Sequence, residues 1–140
     1  MTYRHRQVGW PIMIVSDVLF IIGVVLIALG DGARITGIVL LLTALVVALL
    51  SVLTVTVDAT HVTATFFPGW PKHRIALADI SSAEAVRNKT WWGFGIRKVP
   101  GGWMYNVGGL DAVEVVQHNG KRFRIGTNDV EGLERALATR

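Results

Sequence analysis

The sequence contains no cysteine, which excludes disulfides and thiolate metal sites. Its four histidines, His5, His61, His73 and His118, are dispersed, with no H-x-x-x-H or H-x-E spacing, so a histidine-ligated metal is not expected. There is no Walker loop and no nucleophile elbow, and Gly93-Phe94-Gly95 with Gly101-Gly102 does not lead from a strand into a helix as a nucleotide fingerprint would. The reading is of a chain that is not an enzyme and uses no cofactor. Runs of like charge are also missing. After Leu53, eleven Lys and Arg stand against eight Asp and Glu and are spread along the chain, so no nucleic-acid partner is expected. The sequence pI of about 10.0 suits the cytoplasmic face of an anionic membrane.

Charge itself is scarce. Only 17% of residues are charged against 51% hydrophobic, a skewed balance for a soluble domain. The skew is local: residues 11–53 hold three formally charged side chains, Asp17, Asp31 and Arg34. Pro11 to Leu29 would rise about 28 Å as a helix, close to the thickness of a bilayer's hydrocarbon core, and Ile35 to Leu53 has the same length. Gly30-Asp31-Gly32-Ala33-Arg34 between them stops the first helix and carries charge that must stay in water. Residues 1–53 therefore read as a transmembrane helical hairpin, with spans at about 11–29 and 35–53. The first run is long for a signal peptide and a second span follows at once, so it is expected to be retained. Arg4 and Arg6 before the first span, and the many cations after the second, put both termini in the cytoplasm of a multi-pass cell-membrane protein. Trp10 then sits where an interfacial anchor belongs. Asp17 is an intramembrane polar residue about 9 Å inside the first span, able to turn toward Arg6, Ser51 or Thr54. Ala44 and Ala48 have the spacing of small residues at a helix contact.

From Thr54 the pattern becomes alternating and β-branched. Val55 to Val57 and His61 to Phe67 read as strands about a tight turn, and Phe67-Pro68-Gly69-Trp70-Pro71 returns the chain into Lys72 to Leu77. Ile80 to Arg87 reads as a further strand. Ala112 to Gln117 and Lys121 to Thr127 flank Asn119-Gly120, a strong hairpin signal. Asn128 with Glu131 resembles a capping box for an amphipathic helix over 129–138. Residues 54–140 thus form one cytoplasmic domain of about seven antiparallel strands and a C-terminal helix, giving an α+β chain.

Trp91 to Gly109 gathers five of the twelve aromatic residues, Trp91, Trp92, Phe94, Trp103 and Tyr105, and six of the fifteen glycines. Such a stretch is a shaped loop, its rings either plugging an open end of the sheet or forming a contact surface with Arg97 and Lys98 toward the membrane. The GFGIR of Gly93 to Arg97, the GGWMYNVGG of Gly101 to Gly109, and FRIGTND followed by Glu131-Gly132-Leu133 resemble the bacterial pleckstrin-homology-like membrane proteins. The resemblance covers roughly residues 55–140. It implies a PH-like antiparallel β-barrel or sandwich closed by the helix, with binding roles and no catalysis.

Phosphoinositide-binding members of that superfamily use a lysine on the first strand and a basic-x-basic pair on the second. Lys72-His73-Arg74 supplies the second part, but no Lys or Arg lies between Arg34 and Lys72. Trp70, Lys72 and Arg74 remain candidates for anionic headgroups, and Trp91, Trp92, Arg97, Lys98, Trp103 and Tyr105 for a lipid or membrane-protein partner. The expected function is a non-catalytic lipid- or protein-binding or scaffolding module at the membrane surface. The alternative is a small oligomeric transport or proton-relay accessory built on Asp17.

Overall fold

The structure, a computed structural model, describes residues 3–138. It begins with a strand the sequence reading did not anticipate. In β1 (Tyr3–Val8) Arg4, Arg6 and Val8 are exposed while Tyr3, His5 and Gln7 turn inward, a period of two. Gly9 alone separates it from α1 (Trp10–Leu29), and the turn at Gly30-Asp31-Gly32 leads into α2 (Ala33–Leu49). Two residues later β2 (Val52–Val57) pairs antiparallel with β1, Val8 opposite Val52 and Tyr3 opposite Val57. The helix pair is thus an excursion between two neighbouring strands.

This corrects the expected boundaries in two ways: residues 3–8 belong to the sheet, and the second helix stops four residues short of Leu53. The Ser51 hydroxyl donates to the Ala48 carbonyl at 2.6 Å and closes the helix, while Leu53 is 1% exposed. Apolar residues that read as the end of a span are the first core residues of a strand.

The two helices touch where side chains are small. Ser16 donates to the Ala44 carbonyl at 2.8 Å, and a Cβ on Gly37 would lie 2.6 Å from the Gly23 carbonyl oxygen. Ala44 lies in this contact, as its spacing suggested, at 3% exposure. Helix α1 has 20 residues, a mean hydropathy of 2.9 and a most apolar window only 11% buried, so it is long and apolar enough to cross a membrane and is not a core helix. Helix α2 is apolar but shorter, at 17 residues.

The remaining chain forms two open sheets. The first has the order β1-β2-β3-β4, with β3 at His61–Phe66 and β4 at Lys72–Ala76. The second comprises β5 (Ile80–Arg87), β6 (Gly95–Val99), β7 (Gly102–Asn106), β8 (Asp111–Gln117) and β9 (Arg122–Gly126) in the order β5-β8-β9-β7-β6. Among the described residues there are nine strands, eight of them from Val52 onward where about seven were expected, and of the expected barrel or sandwich the structure shows two open sheets. The pairing is not wholly antiparallel, because β7 runs parallel to β9. The β6–β7 hairpin, cut from the glycine-rich stretch, adds to the edge left by β9, so the chain from Arg87 to Gly95 must pass from one edge of the sheet to the other.

Alternation places Leu53, Val55, Val57, Val62, Ala64, Phe66 and Ile75 of the first sheet against Tyr105, Val113, Val115, Phe123 and Ile125 of the second. Helix α3 (Val130–Ala138) packs on β1, β5 and β8 and drives Leu133 and Leu137 into the same core. Its cap is Asp129, one residue later than expected: the carboxylate accepts from Gly132 N at 3.2 Å and from the Tyr3 hydroxyl at 2.8 Å. Burial and this carboxylate push the Tyr3 hydroxyl pKa well up, and the Tyr3 bond holds Asp129 below the ordinary carboxylate value. Asn128 instead gives its N–H to Gln7 Oε1 at 3.0 Å, and its side-chain Oδ1 accepts from His5 Nε2, tying β1 to the helix start.

Candidate binding surfaces

Glycine and aromatic residues carry the chain across the outer face of the five-stranded sheet. There the register sets Glu114 on β8 opposite Arg124 on β9, with Arg122 two residues away on the same face. Glu114 accepts from Arg122 Nη1 at 2.6 Å and from Arg124 Nε at 2.7 Å. Burial alone would raise the Glu114 pKa, but the hydrogen bonds and charges of the two arginines outweigh it and hold the carboxyl below its usual value. Arg124 also donates to Asn88 Oδ1 at 3.1 Å, and its guanidinium lies 4.7 Å from the centre of the Trp92 ring. Trp92 is therefore a lid over the Arg124 side of a partly buried ion cluster.

The other candidates of this stretch do not form one site. Trp91 is 75% exposed with Lys89 over its ring, and Trp103 is 50% exposed on β7. Neither plugs the sheet. Tyr105 is core, edge-on to Phe123 at 5.1 Å, and burial raises its pKa. Arg97 donates to the Phe94 carbonyl at 2.8 Å and braces the loop, while Lys98 is exposed beside it.

On the four-stranded sheet the basic-x-basic pattern splits as alternation requires. His73 turns inward to stack on Phe123 at 4.1 Å, and burial lowers its pKa, so it is neutral near pH 7. Lys72 and Arg74 point outward opposite Thr65 and Thr63. Through β1 and the pairing with β2, Arg6 and Arg4 join that face opposite Thr54 and Thr56. The sequence reading missed these two arginines as part of the surface; their alternation with Tyr3, His5 and Gln7 was the available signal. The turn from Phe67 to Pro71 lies at the end of the sheet where the helices attach, since Phe67 N donates to Val52 O at 3.1 Å. At that end Trp70 is 78% and Trp10 is 72% exposed, and Arg6 lies 5.6 Å over the Phe67 ring.

Asp17 is exposed on the outside of the helix pair. Two of the three partners expected for it are engaged elsewhere: Ser51 donates to Ala48 O, and Arg6 covers Phe67. An open groove of about 570 Å³ between β5 and α3 is lined by Glu84, Glu131, Glu134 and Arg135, and Glu134 accepts from Ala85 N at 3.2 Å, guarding the free edge of β5. Among the described residues, no group of three or more His, Asp or Glu is arranged to hold a metal ion. In comparisons with known proteins, no family model matches the chain and no curated protein does either.

Proposed function

We propose that the chain is an integral membrane protein of the cell membrane, crossing twice, whose cytoplasmic PH-like sandwich is a non-catalytic binding module for a lipid or protein at the membrane surface. One observation carries this reading: both helices join adjacent paired strands, through Gly9 on one side and Leu50-Ser51 on the other, with Gly9 N donating to Ser51 O at 2.7 Å. Two joints so short and mutually bonded leave the sandwich no linker on which to swing. It would hold its surfaces at a fixed height above the leaflet, where tethering raises the effective concentration of a bound partner. Two sheets packed face to face and flanked by a C-terminal helix support the pleckstrin-homology-like resemblance. In carbonate extraction the protein is expected to stay with the membrane, and a reporter fused after Arg140 is expected to be cytoplasmic. Release into the supernatant, or a reporter outside the cell, would overturn the reading.

A second reading is favoured by the position of Asp17, a carboxylate on the outside of an apolar helix pair. In it, copies of the hairpin assemble around Asp17 as a transport or proton-relay accessory. Asp17→Asn would then dissolve the oligomer seen by crosslinking and abolish proton flux into vesicles, and an unchanged oligomer would end this alternative.

A further inference from the structure

We infer that the outer face of the four-stranded sheet is a docking surface for the anionic phospholipid headgroups of the leaflet that holds the helices, with the turn from Phe67 to Pro71 set into the headgroup layer. This inference rests on the membrane reading above and names the ligand class of the surface.

The charge on this face is one-sided. Its strands contribute Arg4 and Arg6 from β1 and Lys72 and Arg74 from β4, with Thr54, Thr56, Thr63 and Thr65 between them and no Asp or Glu on any of the four strands. The carboxylate nearby in sequence, Asp58, lies in the turn at the far end, where it is engaged by the amides of Thr60 at 2.7 Å and His61 at 2.8 Å and feels the charge of Arg74, whose guanidinium also reaches His61 Nδ1 at 3.2 Å. The two basic columns stand three strand spacings apart, about 14 Å. Each column has two steps. Arg6 and Lys72 are nearer the helix attachment, and Arg4 and Arg74 lie about 7 Å further along their strands, within a Debye length of about 8 Å at physiological salt. The threonines between the columns are half-buried; the Thr65 hydroxyl donates to the Phe66 carbonyl at 3.4 Å, and those of Thr54, Thr56 and Thr63 are of the kind that donates to phosphate oxygens.

The apolar part of the face points the same way. Phe67 and Trp70 are 48% and 78% exposed at the helix end, level with the start of α1 and Trp10. Aromatic rings exposed in water at that level gain by entering the interface, where an amphipathic ring meets both headgroups and chains. Cations and rings therefore converge on one edge, and the polyanion that edge already borders is the leaflet.

The absence of cysteine makes the test direct, because one introduced thiol gives one label. The full chain is reconstituted in nanodiscs of phosphatidylcholine with and without phosphatidylglycerol, as Trp70→Cys or, at the far β8–β9 turn, His118→Cys, each carrying a spin label. With phosphatidylglycerol the label at position 70 is expected in the headgroup layer, shielded from a water-soluble relaxant, and the label at 118 in water. Adding Arg6→Gln and Lys72→Gln should lift the label at 70 into water and lower phosphatidylglycerol enrichment about fivefold per cation removed, with the melting temperature unchanged. A label at 70 as accessible as that at 118, in discs that hold the protein, overturns the inference while leaving the membrane reading standing. So does a depth indifferent to the double substitution, or capture of soluble polyglutamate by the four cations with the label remaining in water, which would assign the face to an acidic protein. Failure of the chain to enter discs at all overturns the membrane reading and this inference with it.

Discussion

Gly9→Ala is expected to unseat the helices from the sandwich. A Cβ there would lie 2.0 Å from the Val107 carbonyl oxygen and 2.7 Å from its carbon, both backbone atoms of a residue with no exposure. Neither side has room to move. Gly9 N is bonded to Ser51 O at 2.7 Å, and Gly9 O accepts from Met13 N at 3.0 Å to open the first helix. On the other side, Val107 belongs to the core and Gln7 Nε2 reaches the next carbonyl, that of Gly108. Forced overpacking of this kind costs about 3 kcal/mol, which for a sandwich of this size lowers the melting temperature by about 12 °C or more. Backbone strain plays no part, because Gly9 has a φ of -87°. The control is Gly32→Ala, where a Cβ meets nothing within 4 Å, and its melting temperature in detergent should match that of the unmodified protein. Equal melting for Gly9→Ala would show that the joint between β1 and α1 is looser than the packing of Gly9 against Val107 requires.

Glu114→Gln has the second large expected effect. The substitution keeps shape but removes the charge that holds two guanidinium groups, Arg122 at 2.6 Å and Arg124 at 2.7 Å. Deleting one partner of a fully buried pair costs about 3–5 kcal/mol; here Arg122 is half exposed and water takes up part of the loss, so about 2 kcal/mol is expected. The pH dependence fixes the mechanism. The folded-state pKa of Glu114 lies below its unfolded value of 4.5, so in the acid range the unfolded chain binds the extra proton. The stabilisation is complete above that unfolded value and fades as pH falls through the folded one. Denaturant melts between neutral and acid pH should therefore show the difference between the unmodified chain and the Glu114→Gln variant shrinking as the pH drops. A constant difference would show that the charge is not responsible. Because Trp92 lies over Arg124, its fluorescence should report the same substitution.

How much of this was legible depended on whether a feature was local. The first apolar helix, the Asn119-Gly120 hairpin, the strands around Asp58 and the amphipathic last helix follow from spacing within a dozen residues, and each was readable. The Glu114–Arg124 pair was within reach too, since a hairpin about Asn119-Gly120 sets the two opposite one another. What escaped notice was non-local. Strand β1 looked like a charged flank of a membrane span because its partner comes after both helices, and orientation rules weigh Arg4 and Arg6 only as cations. The parallel pairing of β7 with β9 required Gly102, whose added Cβ would lie 1.6 Å from Arg122 O, a close approach no periodicity reveals. Composition grouped Trp91, Trp92, Trp103 and Tyr105 as one feature, whereas strand alternation and the crossover distribute them among a lid, two exposed rings and the core.

The interruption of the first sheet by the helix pair also governs the order in which the molecule can be assembled. Strand β1 leaves the ribosome before its neighbour and must wait some forty residues for it, a separation that would cost appreciable loop-closure entropy if the intervening chain were slack. Pairing of the two helices, through Ser16 with Ala44 and Gly23 with Gly37, delivers both strand ends to the same spot and removes most of that cost. Docking of the helices and completion of the sheet then become one cooperative event, and a chain whose helices fail to dock would expose an unpaired strand edge of the kind that aggregates and is cleared by proteolysis.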